Sequence, residues 1–294
     1  MISELIKFPK AFSMLSSTFS PNPAAAFKVP RKGSFEILLP RREPLVATVR
    51  RSRLSRPPRG CRPVVMHLHS GNFTTGEIES STATIDALAE AGAEVVSLAY
   101  PLAPLHPFPD ALEVCYEAFE WLYKRRATIG GLGAPVFVAG EEAGGNLAAA
   151  LSMLARDCTH SPFAGQILWS PMLDPRGGTA SFRQSGSAET RASYILGWDA
   201  YLSRCGDIDH PYAVPSSSRR LQQLPRALIV LGNDDPMRDE ARDYGRRLVE
   251  AGGKVQFHQP AQAIRPDATA PTDAESNTTS LVLALREFLG SGRV

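Results

Sequence analysis

GEEAGGNLA, residues 140–148, is the stretch that decides the fold. Before it, PVFVA at 135–139 has the length and composition of a short buried strand. After Gly140, the small residues at 143–145 and 148–150 allow a helix to pack closely against a sheet. The pattern therefore predicts a strand that passes through a sharp turn into a helix.

The longer run GEEAGGNLAAAL resembles the GDSAGGNLA signature of the hormone-sensitive-lipase-like esterases, a branch of the α/β-hydrolase fold that includes bacterial acetyl esterases. In that family this strand–turn–helix unit is called the nucleophile elbow, and a serine nucleophile stands at the tip of its turn. Glu142 takes the serine's position here. The resemblance implies one α/β-hydrolase domain over residues 1–294. Its mostly parallel, eight-stranded sheet would be flanked by helices, with a helical cap from about 1–30 and 174–222.

HSGNF at 69–73 follows an apolar strand and resembles the family's HGGGF motif, whose backbone N–H groups bind an oxyanion. Two of its glycines are replaced, by Ser70 and Asn72. A side chain at Asn72 restricts the backbone conformations open to this loop compared with glycine, and it can change the shape of the oxyanion-binding site. The alternative is that the loop survives only as a structural turn. By position, the N–H donors are Gly71, Asn72 and Ala143. His69 and Phe73 are further oxyanion or ligand-binding residues.

Two further motifs extend the resemblance. YPLAPLHPFPDALE at 100–113 is similar to the family's YRLAPEHPFPAALE, and DPMRDE at 235–240 to DPLRDE. By position, Asp235 is the acid of the catalytic triad. The catalytic histidine is expected after the last strand, in PAQAIRPDA at 260–268, where Ile264 stands instead. His67 is expected to be a buried strand residue, and no other histidine is expected to replace the missing one.

The Ser-His-Asp relay needs a hydroxyl nucleophile and an imidazole base, and the sequence offers neither at the expected positions. The preferred interpretation is a non-hydrolytic enzyme. Glu142 would act as general acid or base in an isomerisation, elimination (dehydration), cyclisation or C–C cleavage of a small metabolite, in specialised metabolism. Burial and Asp235 would raise its pKa. The alternatives are a catalytically dead pseudohydrolase that binds a small ligand or partner, and residual ester hydrolysis.

Elsewhere, the pattern predicts an antiparallel hairpin from strands 33–39 and 45–50. Leu5, Phe8 and two further apolar residues at helical spacing predict a short amino-terminal helix, either in the cap or packed elsewhere on the body. The polar segment 267–277 is expected to be a loop, and 281–289 a closing helix.

Composition excludes several classes of protein. The chain has 294 residues, a net charge of +2 and four widely spaced cysteines, so neither a metal site nor a disulfide framework is expected. We expect no cofactor, no signal peptide, no membrane span and a cytoplasmic location.

Eight arginines, here called the arginine run, fall between Arg41 and Arg62. The favoured interpretation is a solvated hairpin and loop, and the alternative is a docking site for an acidic partner. Nucleic acid is disfavoured because no aromatic platform accompanies the run. The expected partner is a small molecule, and the sequence carries no oligomer signal.

Overall fold

The computed structural model describes residues 33–37, 39, 45–50, 60–158, 163–232, 234–259 and 271–291. The predicted amino-terminal helix, the cap segment 1–30, most of the arginine run and Ile264 lie outside these residues. The described strands are β1 (Gly33–Ile37), β2 (Leu45–Arg50), β3 (Val64–Leu68), β4 (Glu94–Leu98), β5 (Val136–Glu141), β6 (Gly165–Trp169), β7 (Ala227–Val230) and β8 (Val255–His258).

Seven α-helices are described alongside these strands. They are α1 (Thr82–Glu90), α2 (Asp110–Gly130), α3 (Ala143–Asp157), α4 (Ala180–Gln184), α5 (Ala188–Tyr201), α6 (Arg238–Glu250) and α7 (Pro271–Gly290). Helices α4 and α5 lie between β6 and β7, inside the segment 174–222 that the sequence assigns to a cap.

All eight strands belong to one sheet, in the order β1-β2-β4-β3-β5-β6-β7-β8. β1 and β2 form the predicted antiparallel hairpin, and β2 is also antiparallel to β4. From β4 to β8 every pairing is parallel. The α/β-hydrolase architecture predicted from sequence is therefore confirmed. Because ligand sites of parallel sheets form beyond the carboxyl ends of the strands, the loops after β3, β5, β6 and β7 can meet there.

Alternation along the strands divides the core between the two faces of the sheet. On β3, Val64, Met66 and Leu68 face the side that packs α2, α3 and α6. Val65 faces the other side, covered by α1 and α7. Helix α3 is buried along nearly its whole length, so it is the central helix of its layer.

Close packing of α3 depends on the glycines of the quoted stretch. A Cβ added at Gly140 would overlap the carbonyl oxygen of Gly144, and one added at Gly144 would overlap that of Leu68. The prediction that small residues permit a close helix–sheet contact is therefore confirmed.

One expectation about the end of the chain is wrong. The segment 267–277 was expected to be a loop, but α7 already includes Pro271 and continues to Gly290. Proline is well tolerated in the first turn of a helix, because the first amides lack an intrahelical acceptor, and acidic residues are favoured there by the helix dipole. The polar composition of this segment therefore suited a helix start.

Candidate active site

Glu142 stands at the turn between β5 and α3, where the sequence places it. Its backbone has φ 49° and ψ −110°, a conformation that a non-glycine residue rarely adopts. The Glu142 N–H donates to the Trp169 carbonyl at 3.0 Å, and the Met172 N–H donates to the Glu142 carbonyl at 3.0 Å. These two bonds tie the turn to the loop after β6 and hold the strained conformation in place.

The Glu142 carboxylate receives two hydrogen bonds in the site. The Gly71 N–H donates to Oε2 at 3.2 Å, and the Tyr194 hydroxyl donates to Oε1 at 3.0 Å. Burial raises the pKa of the Glu142 carboxyl above its ordinary value, and the charges of Glu141 and Asp235 act in the same direction. The two hydrogen bonds oppose this rise without cancelling it.

The loop after β3 carries two consecutive non-glycine residues with positive φ, Asn72 at 54° and Phe73 at 67°. Asparagine tolerates this left-handed region better than most side chains, so it can replace a glycine there. The Asn72 Nδ2 donates to the Ser193 hydroxyl of α5 at 2.9 Å. Its amide therefore fastens the loop to α5.

His69 and Phe73 support this loop through ring contacts. The His69 ring stacks on Tyr100 at 4.2 Å, and its Nδ1 lies 2.7 Å from the Ser70 carbonyl oxygen. Burial lowers the pKa of His69, which favours the neutral imidazole. The Phe73 ring stacks on Tyr201 at 4.0 Å.

Ala143, the third predicted oxyanion donor, is the first residue of α3 and is fully buried. Amides in the first turn of a helix have no intrahelical acceptor, so its N–H is free of the α3 hydrogen-bond ladder. Two of the predicted donors therefore adjoin Glu142. Gly71 is hydrogen-bonded to its carboxylate, and Ala143 is the next residue in the chain.

Asp235 lies in the loop after β7 and faces the loop after β6. The Ser170 hydroxyl donates to Oδ2 at 2.5 Å, and the Met237 N–H donates to Oδ1 at 2.8 Å. Burial raises the pKa of the Asp235 carboxyl, against these bonds and the charge of Arg238. In the described part of the chain its side-chain donor is thus a serine. The position of Ile264, where the family's histidine is expected, lies outside that part.

Two of the other histidines contact carboxylates that are neither Glu142 nor Asp235. His67 is a fully buried strand residue, as predicted, and its ring nitrogens have two hydrogen-bond partners, Ser97 and Glu141. His106 Nδ1 lies 3.4 Å from Asp110 Oδ2, and both residues are partly buried.

Sequence reasoning missed Tyr194 and Ser170 as residues of the site. Tyr194 is 52 residues from Glu142, and Ser170 is 65 residues from Asp235. The sequence did contain a signal for Tyr194. Tyr194 and Trp198 are four residues apart on α5, so their rings lie on one face of a helix in the predicted cap, where aromatic residues can line a pocket. Ser170 offered none, since a serine after a strand is common in loops.

The described residues offer neither a cluster of metal ligands nor a membrane-spanning helix. They contain no group of three or more histidine, cysteine, aspartate or glutamate side chains arranged to hold a metal ion. No described helix combines the length and apolar character that crossing a membrane requires. The four cysteines, all described, form no disulfide.

Comparison with known proteins identifies the family. The sequence model of the alpha/beta hydrolase fold matches residues 65–264. The chain belongs to the α/β-hydrolase family. Its hormone-sensitive-lipase-like branch, predicted from sequence, is supported by the relatives that follow.

Among curated proteins, this α/β-hydrolase is similar to esterase LipI of Mycobacterium tuberculosis, with 32% identity over 235 residues. That match covers 77% of this chain and 73% of LipI. It is also 32% identical over 203 residues to carboxylesterase NlhH of the same organism, covering 66% of this chain and 63% of NlhH.

Solved structures agree. A bacterial heroin esterase superposes with a TM-score of 0.75 at 30% identity, covering 88% of this chain and 84% of that one. A hyperthermophilic esterase from the archaeon Pyrobaculum calidifontis gives a TM-score of 0.74 at 30% identity, covering 87% and 85%.

These comparisons correct the functional expectation. The relatives are named as esterases and carboxylesterases at about 30% identity, which supports an enzyme and points to ester hydrolysis. The expectation of a non-hydrolytic lyase, isomerase or cyclase of a biosynthetic route is therefore wrong. That expectation inferred a new reaction class from the residues at 142 and 264 alone. The same reaction can be catalysed by different sets of residues, so two substitutions do not establish a change of reaction.

Proposed function

We propose that this α/β-hydrolase hydrolyses small carboxylic esters and that Glu142, which replaces the family's serine, is the general base that activates water. The observation that carries the proposal is the placement of the Glu142 carboxylate at the elbow, bonded to the Gly71 N–H and the Tyr194 hydroxyl. A carboxylate at this position can take a proton from a water molecule beside a bound ester.

The substrate carbonyl would enter at the Gly71 N–H. Its oxygen displaces Glu142 Oε2 from that donor, while the bond from Tyr194 to Oε1 keeps the carboxylate in the site. Gly71, Asn72 and Ala143 supply the backbone N–H groups that stabilise the oxyanion. The contact between Glu142 Oε2 and the Gly71 N–H would thus be exchanged for a contact between the ester and the same N–H.

The reaction then proceeds without an acyl-enzyme. Glu142 removes a proton from water as the water oxygen attacks the carbonyl carbon, and the oxyanion forms against the backbone N–H groups. The tetrahedral intermediate collapses by breaking its bond to the alcohol oxygen. The protonated Glu142 returns its proton to that leaving oxygen, so the products are one acid and one alcohol and the enzyme is regenerated.

Asp235 has a separate role in this mechanism. Its charge raises the pKa of Glu142, and a general base is most effective when its pKa approaches the working pH. Ser170 and the Met237 N–H hold the Asp235 carboxyl in place. Asp235 thus tunes the base, whereas the triad arrangement of the family would use it to orient an imidazole.

We also infer that α4 and α5, within 174–222, form part of a cap over this site. Helix α5 supplies Tyr194 to the carboxylate and Ser193 to the oxyanion loop. The substrate is a small-molecule ester, and the mechanism requires no cofactor. A cytoplasmic location is part of this proposal.

The test is hydrolysis of p-nitrophenyl acetate and p-nitrophenyl butyrate by the wild-type protein and by Glu142→Gln. We expect the wild type to release nitrophenolate and the free acid catalytically, and Glu142→Gln to lose activity. Glu90→Gln is the matched control, because Glu90 is an exposed carboxylate at the far end of α1. Saturable binding of esters without turnover by the wild type would contradict the proposal and make Glu142 a permanent occupant of the oxyanion hole.

A further inference from the structure

A chain of polar side chains lies behind the elbow, on the sheet face covered by α1 and α7. His67 of β3 is fully buried. Its Nδ1 lies 2.8 Å from the Ser97 hydroxyl of β4, and its Nε2 lies 3.2 Å from Glu141 Oε1 of β5. Three adjacent strands are therefore joined by side chains at their carboxyl ends, directly before the loops that form the site.

Strand register explains how these groups meet. His67 pairs with Ser97 on one side and with Ala139 on the other. Glu141 is two residues beyond Ala139, so its side chain points to the same face as that of His67. Glu142, the next residue, is in the turn and carries its carboxylate to the opposite, catalytic side.

Glu141 also connects to the oxyanion loop. Ser81 and Thr84, at the start of α1, present their hydroxyls towards the Glu141 carboxylate and help to lower its pKa. The Ser81 hydroxyl in turn accepts a hydrogen bond from the Ser70 N–H at 3.3 Å. Ser70 is the residue before Gly71, whose own N–H reaches Glu142. Glu142 therefore bonds the Gly71 amide directly, whereas Glu141 reaches the preceding amide, that of Ser70, by way of Ser81.

Burial alone would raise the pKa of the Glu141 carboxyl, but its hydrogen bonds with His67, Ser81 and Thr84 and the charge of His67 outweigh burial and lower it. The side chain is 19% exposed and stays ionised at neutral pH. Burying a carboxylate costs folding free energy, and this cost is offset only when the carboxylate is paired and hydrogen-bonded. His67 is such a partner of Glu141. These contacts link the elbow on β5 to the loop after β3.

We propose that Glu141, held by His67, is a positioning residue that sets the Gly71 amide at the distance from the elbow that oxyanion binding requires. The inference rests on the proposed ester hydrolysis for its kinetic consequence only. Its structural consequence, an ordered loop at Ser70 and Gly71, is independent of any reaction.

Kinetics with p-nitrophenyl acetate give the first test. Glu141→Gln keeps the size of the side chain but removes its charge, and His67→Phe removes both ring hydrogen bonds. We expect each to lower kcat by about ten-fold or more while KM changes by less than about two-fold, because misplacing a catalytic donor weakens the transition state more than substrate binding. His67→Gln, which can bond both partners, is expected to restore most of kcat. Unchanged kcat in Glu141→Gln and His67→Phe would overturn the proposal.

Hydrogen–deuterium exchange gives a readout that needs no turnover. In the peptide containing residues 70–76, exchange is expected to accelerate in Glu141→Gln and to match the wild type in the control Glu90→Gln. If the wild type hydrolyses no ester, the proposed function fails but faster exchange still supports the positioning role. Equal exchange in wild type and Glu141→Gln overturns it.

Ser81→Ala covers the case in which Glu141→Gln does not fold. It cuts the link to Ser70 while leaving the pair of His67 and Glu141 intact, and the Ser81 side chain makes no capping bond to α1. We expect faster exchange at 70–76 with an unchanged melting temperature within a few degrees. Exchange at the wild-type rate in Ser81→Ala would contradict the proposal.

Discussion

Glu142 and Gly71 meet across the carboxyl edge of the sheet, where the Gly71 N–H donates to Glu142 Oε2 at 3.2 Å. In the proposed mechanism, the general base is therefore bonded to a group that binds the oxyanion. An ester would have to displace the carboxylate from this donor before it reacts, so the strength of this contact would affect substrate binding.

Removing the Glu142 carboxylate should abolish the chemical step. In Glu142→Gln we expect kcat for p-nitrophenyl acetate to fall by about 10²- to 10⁴-fold, the usual contribution of general-base catalysis. KM should change little, because the backbone donors remain. Steady-state kinetics on folded protein check this, with Glu90→Gln expected to behave as wild type. A loss below about three-fold would mean that Glu142 is not the base.

Tyr194 donates to the charged form of Glu142, so its loss should raise the pKa of that carboxyl further. In Tyr194→Phe the acid limb of kcat/KM is expected to move to higher pH. A pH–rate profile measures the shift. Tyr212→Phe is the control, because the Tyr212 hydroxyl donates instead to Asp157 at the end of α3. An acid limb that moves to lower pH in Tyr194→Phe would contradict the assigned hydrogen bond.

Asp235 should act on the same limb in the opposite sense. Its charge raises the pKa of Glu142, so Asp235→Asn is expected to move the acid limb to lower pH. The amide keeps an oxygen that can accept from Ser170 or the Met237 N–H. Comparing the profiles of Asp235→Asn and Tyr194→Phe in one buffer series gives the sign directly. Shifts in the same direction would be inconsistent with two separate electrostatic roles.

Helix α5 must approach the oxyanion loop closely, and Gly197 permits it. A Cβ at Gly197 would overlap the Asn72 carbonyl oxygen. In Gly197→Ala we expect a loss of about 1–3 kcal/mol of unfolding free energy, typical of overpacking, together with reduced activity. Gly178→Ala is the matched control, since a Cβ there meets nothing within 4 Å. Urea denaturation compares the two, and equal stabilities would show that α5 does not rest on the loop.

The Glu141 network also predicts a pH-dependent stability. Because the folded pKa of Glu141 is lowered from its ordinary value of 4.5, its stabilisation is complete above that value and is lost as pH falls through the folded pKa. Glu141→Gln should therefore cost about 1–3 kcal/mol at pH 7, as for a buried hydrogen-bonded group that loses its partner. Unfolding by urea at several pH values should show this difference shrinking towards acid. A difference that grows towards acid would contradict the assignment.

The sequence predicted the fold because its signals are local. The elbow, the hairpin and the DPMRDE turn each depend on neighbouring glycine, proline and apolar residues, so their positions follow from the motif itself. The placement of Glu142 was predicted for the same reason. The contacts of Tyr194 with Glu142 and of Ser170 with Asp235 join residues 52 and 65 positions apart, and only the folded chain brings them together.

The functional error had a different origin. The absence of a serine at 142 and of a histidine near 264 is visible in the sequence. It led to a preference for a non-hydrolytic reaction, with residual ester hydrolysis only as an alternative, although a carboxylate can activate water directly. The contacts that support this use of Glu142, from Gly71 and Tyr194, depend on the tertiary structure and had no local signal.

The pH dependence of kcat/KM for an activated ester tests the central claim most directly. If Glu142 is the general base, activity of the wild type falls at acid pH as one group is protonated, with an apparent pKa above the ordinary value of 4.5. The small remaining activity of Glu142→Gln should lack this limb. A wild-type profile that is flat from about pH 4 to 8, or an acid limb that persists in Glu142→Gln, would contradict the account.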